Sequence, residues 1–333
     1  MQQKQGVIRA VWVAAAILAA PAAASADDND LVLGRLGTII EDGGGTPIDV
    51  LGDNLAFRSM ISELGVVLAP RLLSPSDSLG FGGFQFAVDL GYTAISNDAT
   101  YWRVLESSPD PTSGTSAVHG NGLMPTIGFF ARKGMWLPLP SFEVGVGAVH
   151  LMRSRLWTGQ GYAKFALHEG YHDLPLPSIA VRGAASRLMG NREVDLTIAS
   201  VDVSMSKALG IGGTTGVSPY LGWNLLIMIA RSEVVDKTPD IDLLTDSTDA
   251  AMNFVFKDQD DILRHRLFAG LKLQYYVFAL TLEASLTLQG SSVDDRGSTD
   301  LSCADITEPT TLCDATDEAK LQETYTMSLA MDF

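Results

Sequence analysis

The last ten residues of the chain, TYTMSLAMDF, alternate strictly between polar or small side chains and apolar ones. Side chains along a β-strand point alternately to its two faces, so a period of two gathers the apolar residues on one face. A helix would scatter them around its axis. The pattern therefore predicts a strand with one apolar face, formed by Tyr325, Met327, Leu329, Met331 and Phe333.

The same alternation recurs along most of the chain, in segments of the length that crosses a bilayer as a tilted strand. We predict an all-β fold, an antiparallel transmembrane β-barrel of about ten strands. The turn at Tyr275–Val277 is the weakest boundary because it contains no Gly, Pro, Asn or Asp, and eight or twelve strands stay open as alternatives. The ten predicted strands are 84–96, 122–133, 141–151, 156–168, 178–188, 194–206, 217–230, 262–276, 277–289 and 321–333.

Strand parity assigns the connections to the two ends of the predicted barrel. The three longest connections, at about 97–121, 231–261 and 290–320, all fall at the end opposite Phe333. Outer-membrane barrels have long extracellular loops and short periplasmic turns. The pattern therefore predicts that Phe333 lies at the periplasmic end and that the three long loops face the outside.

Residues 1–26 have the composition of a secretory signal peptide. Lys4 and Arg9 precede an apolar stretch that is too short to span a bilayer, and Ala24-Ser25-Ala26 offers a small-residue cleavage site. Without the two basic residues of this segment, 21 basic residues face 39 acidic ones, a formal charge of −18. Such a charge argues against nucleic acid or an anionic membrane surface as a partner, because binding to either needs clustered positive charge.

Residues 27–80 form a separate amino-terminal segment with one predicted amphipathic helix at about 54–69. Asp53 and Asn54 are suitable N-cap residues, and Pro70 ends the helical pattern. We expect this helix to cover the periplasmic rim of the barrel. The alternative is a plug that enters the lumen. The apolar residues at helical spacing are Phe57, Met60, Ile61, Leu64 and Leu68.

The signal peptide, the alternating strands, the loop parity and the terminal Tyr-x-Met-x-Leu-x-Met-x-Phe resemble Gram-negative outer-membrane β-barrel proteins. The resemblance covers about 81–333 and indicates an architecture, without a motif for a subfamily of known substrate. It implies that the strand ending at Phe333 is recognised by the barrel-assembly machinery. It also implies contact with outer-membrane lipid and lipopolysaccharide, and location in the outer membrane.

Function is expected first in the residues that point into the lumen. In a barrel of ten strands the interior is narrow, so inward charges either pair and seal it or line a polar path for a small solute. Both alternatives stay open on the sequence. The candidate lumen-lining residues are Asp89, Glu143, Lys164, Arg182, Arg266, Lys272, Gln274 and Glu283.

Two further patterns concern the loops. Cys303 and Cys313 are the only cysteines, and in an exported protein such a pair is most simply a disulfide. The long loops are also rich in acidic residues, which predict solvated loops. A weaker alternative is a Ca²⁺ site with hard oxygen ligands, and no other cofactor is expected. Its candidate ligands are Asp258, Asp260 and Asp261.

His168-Glu169-Gly170-Tyr171-His172 matches the H-E-x-x-H motif of zinc proteases. That chemistry requires a helix, so that both histidines share one face. The preceding residues alternate as a strand, so we interpret the motif as a strand end and a turn. His150 is the one candidate general base, and we do not expect an enzyme. The sequence predicts a channel or transporter for small solutes, or alternatively a sealed barrel that displays acidic loops, with a barrel hydrolase as a third alternative.

Overall fold

A computed structural model describes residues 27–108, 122–136, 141–169, 176–211, 214–237, 252–256, 260–294 and 315–333. Its one α-helix among these residues is α1 (Asn54–Val67), and two 3₁₀ helices span Leu33–Leu36 and Thr100–Val104. No helix in the described ranges is long and apolar enough to cross a membrane. The strands are β1 (Gly37–Glu41), β2 (Pro47–Gly52), β3 (Phe84–Ala94), β4 (Leu123–Met135), β5 (Phe142–Leu151), β6 (Trp157–His168), β7 (Ser178–Met189), β8 (Val194–Ser206), β9 (Leu209–Ile211), β10 (Thr215–Ser232), β11 (Val235–Asp236), β12 (Asn253–Phe254), β13 (Ile262–Tyr275), β14 (Phe278–Thr287), β15 (Val293–Asp294), β16 (Ala315–Thr316) and β17 (Gln322–Asp332).

Ten long strands form a closed antiparallel barrel. The order is β3, β4, β5, β6, β7, β8, β10, β13, β14 and β17, and β17 pairs with β3 to close the sheet. The predicted barrel of ten strands is confirmed, and each predicted strand agrees with the observed one within two residues at either end. Closure leaves no unpaired edge for lipid to meet, which is why a barrel satisfies its backbone in a membrane.

The turn between β13 and β14 contains two residues, Tyr276 and Val277. Tyr276 adopts a φ of 52°, in the left-handed region that L-residues other than glycine rarely occupy. Its backbone N–H donates to Thr214 O at 3.3 Å, and Val277 O accepts from Asp332 N at 2.7 Å. Backbone contacts on both sides hold this tight turn.

The two ends of the barrel differ. We call the end that holds Phe84 and Phe333 the base, and the opposite end the mouth. Phe84 and Phe333 exchange both backbone hydrogen bonds, at 2.9 and 2.7 Å. The strand directions place the three long connections, which follow β3, β10 and β14, together at the mouth. The base has shorter turns, as predicted from the alternation of the connections between the two ends of the barrel.

The outer face of the barrel is apolar, as the alternation predicts. On β17 the five residues of the terminal pattern are all exposed on the outside: Tyr325, Met327, Leu329, Met331 and Phe333. Their polar neighbours, such as Thr324 and Ser328, are buried on the inside. Recognition of this strand by an assembly machinery stays a prediction.

Residues 27–53 lie at the mouth and not at the base. Leu31 forms an isolated antiparallel bridge with Leu105, and Arg35 Nη1 donates to Leu105 O at 2.6 Å and to Ser108 O at 2.8 Å. Both partners follow β3, in the connection at the mouth. The hairpin of β1 and β2 then leads into α1, whose N-cap Asp53 accepts from Ala56 N at 3.0 Å, as predicted.

Candidate functional site

The lumen is occupied by the amino-terminal segment of the same chain. We call residues 54–80 the plug. Helix α1 lies in the mouth half of the barrel, and residues 68–80 continue through the lumen towards the base, where β3 begins. Almost every residue of the helix is buried. The expectation that the helix covers the base rim is therefore wrong: the structure places it at the other end of the barrel and inside it.

One face of α1 is apolar and packs against inward side chains of the strands. Phe57 stacks on Phe256 with ring centroids 4.3 Å apart. A Cβ at Gly65 would lie 2.3 Å from Met228 Sδ, so the helix backbone approaches β10 directly. The mouth half of the lumen is thus a packed hydrophobic core. The strand residues of this core include Leu188, Leu196, Ile198, Leu226, Met228 and Ile262.

The opposite face of α1 is polar and is equally buried. Arg58 Nη1 donates to Asp260 O at 2.8 Å, and its Nη2 donates to Ser292 Oγ at 3.0 Å. Ser62 Oγ donates to Asp317 Oδ2 at 2.6 Å. Mouth connections therefore supply the partners that solvent would give a helix on a protein surface, and α1 is enclosed on every side.

Glu63 is the centre of this polar face and is fully buried. Its carboxylate accepts hydrogen bonds from Ser96 N at 2.9 Å, Tyr101 Oη at 2.8 Å, Trp102 Nε1 at 2.7 Å and Lys320 N at 3.2 Å. Ser96 Oγ donates as well. Five donors from two mouth connections converge on one plug side chain. Because hydrogen bonds to an ionised group are about twice as strong as neutral ones, this carboxylate is a firm attachment of helix to mouth.

Below the helix, the plug is extended and its main chain binds to the inward charges of the barrel. Arg182 Nη1 donates to Arg71 O at 3.0 Å and to Leu72 O at 2.8 Å. Arg266 Nη2 donates to Pro70 O at 3.1 Å, and Leu73 N donates to Glu283 Oε2 at 2.9 Å. A chain without helix or strand thus has its buried backbone groups satisfied by barrel side chains.

Two more of the sequence candidates act in the same way nearer the base. Lys164 Nζ donates to Ser74 Oγ, Pro75 O and Asp77 O at 2.9 to 3.1 Å. Glu143 Oε2 accepts from Leu79 N at 3.0 Å. The plug is therefore bound at successive levels from the middle of the lumen to the base.

Inward charges also pair with one another. Lys164 Nζ lies 3.2 Å from Glu143 Oε1, and Arg182 Nε lies 2.8 Å from Asp202 Oδ2. Lys272 Nζ lies 2.8 Å from Asp332 Oδ2 near the base. Asp202 was not among the sequence candidates, although its inward position follows from the alternation of β8.

Asp89 differs from the other inward charges. It is fully buried, its carboxylate faces Ser328 across the pair of β3 and β17, and within the described part of the chain it has no hydrogen bond to the plug. The nearby plug residue Arg71 donates to Thr126 Oγ1. A Cβ at Gly91 would lie 2.9 Å from Arg71 Nη2, so a glycine at this position leaves the space that the guanidinium needs. Asp89 and Arg71 form the polar middle level of the lumen.

A polar cavity of about 530 Å³ remains at the base. It lies between the plug and the barrel wall, and its lining includes Lys164, Lys207, Lys272, Gln274 and Asp332, together with plug residues 74, 75 and 77–79. Four of the eight predicted lumen-lining residues line this cavity: Glu143, Lys164, Lys272 and Gln274. The other four, Asp89, Arg182, Arg266 and Glu283, face plug residues 70–73.

The remaining candidates concern the loops, and most of them stay predictions. Cys303, Cys313 and Asp258 lie outside the described residues. Asp260 uses its carbonyl to bind Arg58, Asp261 is exposed, and the part of the chain that the structure describes contains no group of three metal-ligating side chains.

The described part of the H-E-x-x-H motif, His168 and Glu169, lies on no helix. His168 ends β6, and His172 lies outside the described ranges. Glu169 accepts from Ser78 N and from Ser141 Oγ, both at 2.7 Å, and so binds the plug at the base. His150 is stacked on Trp157, with ring centroids 4.3 Å apart, on the outer face.

No protein-family model and no curated protein matches the chain. The chain is similar to solved structures of the outer membrane protease OmpT of Escherichia coli (7% identity, 75% of this chain and 96% of that chain, TM-score 0.31) and of Ail, the attachment invasion locus protein of Yersinia pestis (8%, 76% and 99%, TM-score 0.27). It is also similar to Neisserial surface protein A (11%, 75% and 97%, TM-score 0.25).

The closed antiparallel sheet and its apolar outer face decide the architecture. The fold is that of a bacterial outer-membrane β-barrel. The low identities and TM-scores carry no information on activity or ligand.

Proposed function

We propose that this protein is a sealed outer-membrane barrel in its resting state, closed by its own plug, and that its functional surface is the assembly at the mouth. The observation that supports this most strongly is the use of the inward charges. Five of them bind the plug main chain and are therefore not free to line a path for a solute: Arg182, Arg266, Lys164, Glu143 and Glu283.

The energy of opening supports the same proposal. To clear the mouth, α1 must expose at least Phe57, Met60, Ile61 and Leu64, all fully buried. Each such side chain contributes about 1.5 to 3 kcal/mol, so withdrawal costs roughly 6 to 12 kcal/mol before any hydrogen bond is broken. One tenfold step in population corresponds to about 1.4 kcal/mol. An open barrel is then at most about one molecule in 10⁴ without an external source of energy.

The second candidate is a gated transporter for a small polar solute, and the base cavity favours it. A cavity of about 530 Å³ between the plug and the wall is large enough for such a solute. Transport through it requires displacement of the plug by a partner or by a change of conditions. In this candidate, Lys272 and Gln274 contact the solute before the plug moves.

Single-channel current across a planar bilayer tests the proposal. The full chain is expected to give no steady conductance, whereas a variant without residues 54–80 that still forms a barrel is expected to conduct. Heat-modifiable migration in gel electrophoresis checks that both have folded. Steady conductance of the full chain whose ion selectivity changes in Lys272→Glu would refute the sealed barrel and support the transporter.

A further inference from the structure

The lipid-facing surface at the mouth has two arginines, on two strands that are separated by one other strand. Arg187 on β7 and Arg231 on β10 alternate with apolar residues that face outward, such as Met189 and Ile229. The strand between them, β8, places Asp195 opposite Arg231. Because strands lie about 4.8 Å apart, the two arginines are separated by about 10 to 12 Å.

These arginines lie at the depth of the lipid headgroups. Along β8, Asp195 is ten residues from Met205 at the base, which corresponds to about 26 Å of barrel height for a strand tilted by about 40°. The apolar band of such barrels is about 25 Å tall. Trp157, on the outer face and paired with Met189 on β7, is an aromatic residue of the kind that favours the interface.

Charge at this position is unusual for the outer face. Among the described strands, the other charged side chains that point outward are Lys133 near the base and Glu323 on β17. Arg187 Nη2 lies 2.8 Å from Asp195 Oδ2 but remains 66% exposed. Asp195 lies between the two arginines, so one carboxylate stands against two guanidinium groups on this surface.

The turn above this surface adds a further cation. Arg192, between β7 and β8, is exposed. Its neighbour Glu193 faces the amino-terminal segment, where its carboxylate accepts from the backbone N–H of Leu33. Glu233 lies just beyond the end of β10. The lipid-facing positions themselves therefore remain net positive in a chain whose formal charge is −16.

The surface below Arg187 is flat. Gly159 on β6 pairs with Arg187, and Gly161 pairs with Ala185 one step closer to the base. A Cβ added at Gly183 would meet no atom within 4 Å, and one at Gly161 would come no closer than 3.9 Å to its nearest neighbour. An acyl chain lying here therefore meets no protruding side chain beneath the arginine.

We propose that Arg187 and Arg231 bind the phosphorylated headgroup of lipopolysaccharide, with one acyl chain along the flat surface of β6 and β7. Arginine recognises phosphate through paired, charge-assisted hydrogen bonds. Two arginines about 10 to 12 Å apart suit a headgroup that carries two phosphates better than one that carries a single phosphate. The predicted orientation, with the mouth outside, places these residues in the leaflet where lipopolysaccharide lies.

Native mass spectrometry of the full chain in detergent micelles tests this assignment, with diphosphorylated lipid A as the probe. We expect Arg187→Gln and Arg231→Gln each to weaken binding about tenfold, and the double variant about a hundredfold, because a charge-assisted contact is lost each time. Lys133→Gln is the matched control, since it removes an exposed, outward-facing cation near the base, and its affinity should not change.

Three competing probes distinguish which phosphate-bearing molecule binds at this surface. Monophosphorylated lipid A should bind the native chain about tenfold more weakly, and phosphatidylglycerol and inorganic phosphate should not displace the diphosphorylated lipid at equal concentration. The assignment is overturned if the double variant binds as tightly as the native chain, or if Lys133→Gln weakens binding equally. Equal affinity for phosphatidylglycerol overturns the choice of lipopolysaccharide as the ligand.

Discussion

Replacement of Glu63 by leucine should release helix α1 from the mouth without unfolding the barrel. The variant keeps the helix and its apolar face but removes the acceptor of five hydrogen bonds. The hydroxyls of Ser96 and Tyr101 can rotate towards other acceptors. Three N–H donors cannot: Ser96 N, Trp102 Nε1 and Lys320 N.

The magnitude follows from these three orphaned donors. Leaving a buried donor unpaired costs about 1 to 3 kcal/mol, so the loss is at least about 3 kcal/mol and at most about 9. Water that enters the gap reduces the loss towards the lower limit. At 1.4 kcal/mol for each tenfold step, even 3 kcal/mol raises the population with a detached helix more than a hundredfold.

Amide hydrogen exchange measured in detergent micelles detects this change directly. Exchange of α1, Asn54–Val67, should accelerate at least about a hundredfold in Glu63→Leu, while exchange of β5 and β14 should stay the same. Glu323→Gln, on the exposed outer face near the mouth, is the matched control and should leave α1 unchanged. Unaltered exchange of α1 in Glu63→Leu would refute the view that this carboxylate attaches the plug.

Three further outcomes are expected. Tyr276→Gly should stabilise the chain by about 1 kcal/mol against urea, because glycine adopts the positive φ of this turn without strain; a lower unfolding midpoint would contradict this. Gly190→Ala should destabilise it by at least about 1 kcal/mol, since the residue has a φ of 92° and an added Cβ would lie 2.0 Å from Arg155 O, and the same urea titration measures the loss. Burial raises the pKa of the Asp317 carboxyl, although the hydrogen bond from Ser62 opposes this shift. The folded state therefore binds a proton that the unfolded state has lost, and the free energy of unfolding should fall as pH rises from about 4 through the raised pKa. This pH dependence should vanish in Asp317→Asn, and an identical dependence of stability on pH in both proteins would count against it.

The barrel could be predicted from the sequence because the alternation within each membrane strand shows which side chains point outward and which point inward. Phe86, Val88 and Tyr92 point outward and Asp89 and Thr93 inward, as the period of two requires. Each strand shows the same alternation. Because successive strands run in opposite directions, their order then assigns each connection to one end of the barrel. Even the turn at Tyr276, which lacks any turn residue, is fixed by the patterns on both sides of it.

The position of the helix could not be predicted in the same way. The apolar spacing of α1 defines one face, but Arg58, Ser62 and Glu63 on the other face indicated exposure to solvent. What covers a polar face depends on connections distant in sequence, here the residues near Ser96 and Asp317. A local pattern contains no information about such partners.

A signal for the plug was nevertheless present in the strands. Residues 225–229 of β10, Leu-Leu-Ile-Met-Ile, are apolar on both faces, although a strand that lines a water-filled lumen should be polar on one. Val194, Leu196 and Ile198 on β8 likewise point inward. An apolar lining confined to one half of a barrel indicates that an apolar element fills that half.

The course of the plug also constrains how the molecule is assembled. Residues 27–53 lie at the mouth while Phe84 lies at the base, so the segment between them passes through a ring that closes only when β17 pairs with β3. Either the ring closes around a segment that is already in place, or the hairpin Gly37–Gly52 is threaded through the finished pore. Threading would drag a folded hairpin past the ion pairs of the narrow lumen. Closure around the plug avoids this step, and it makes the amino-terminal segment a template on which the last strand pairing is completed.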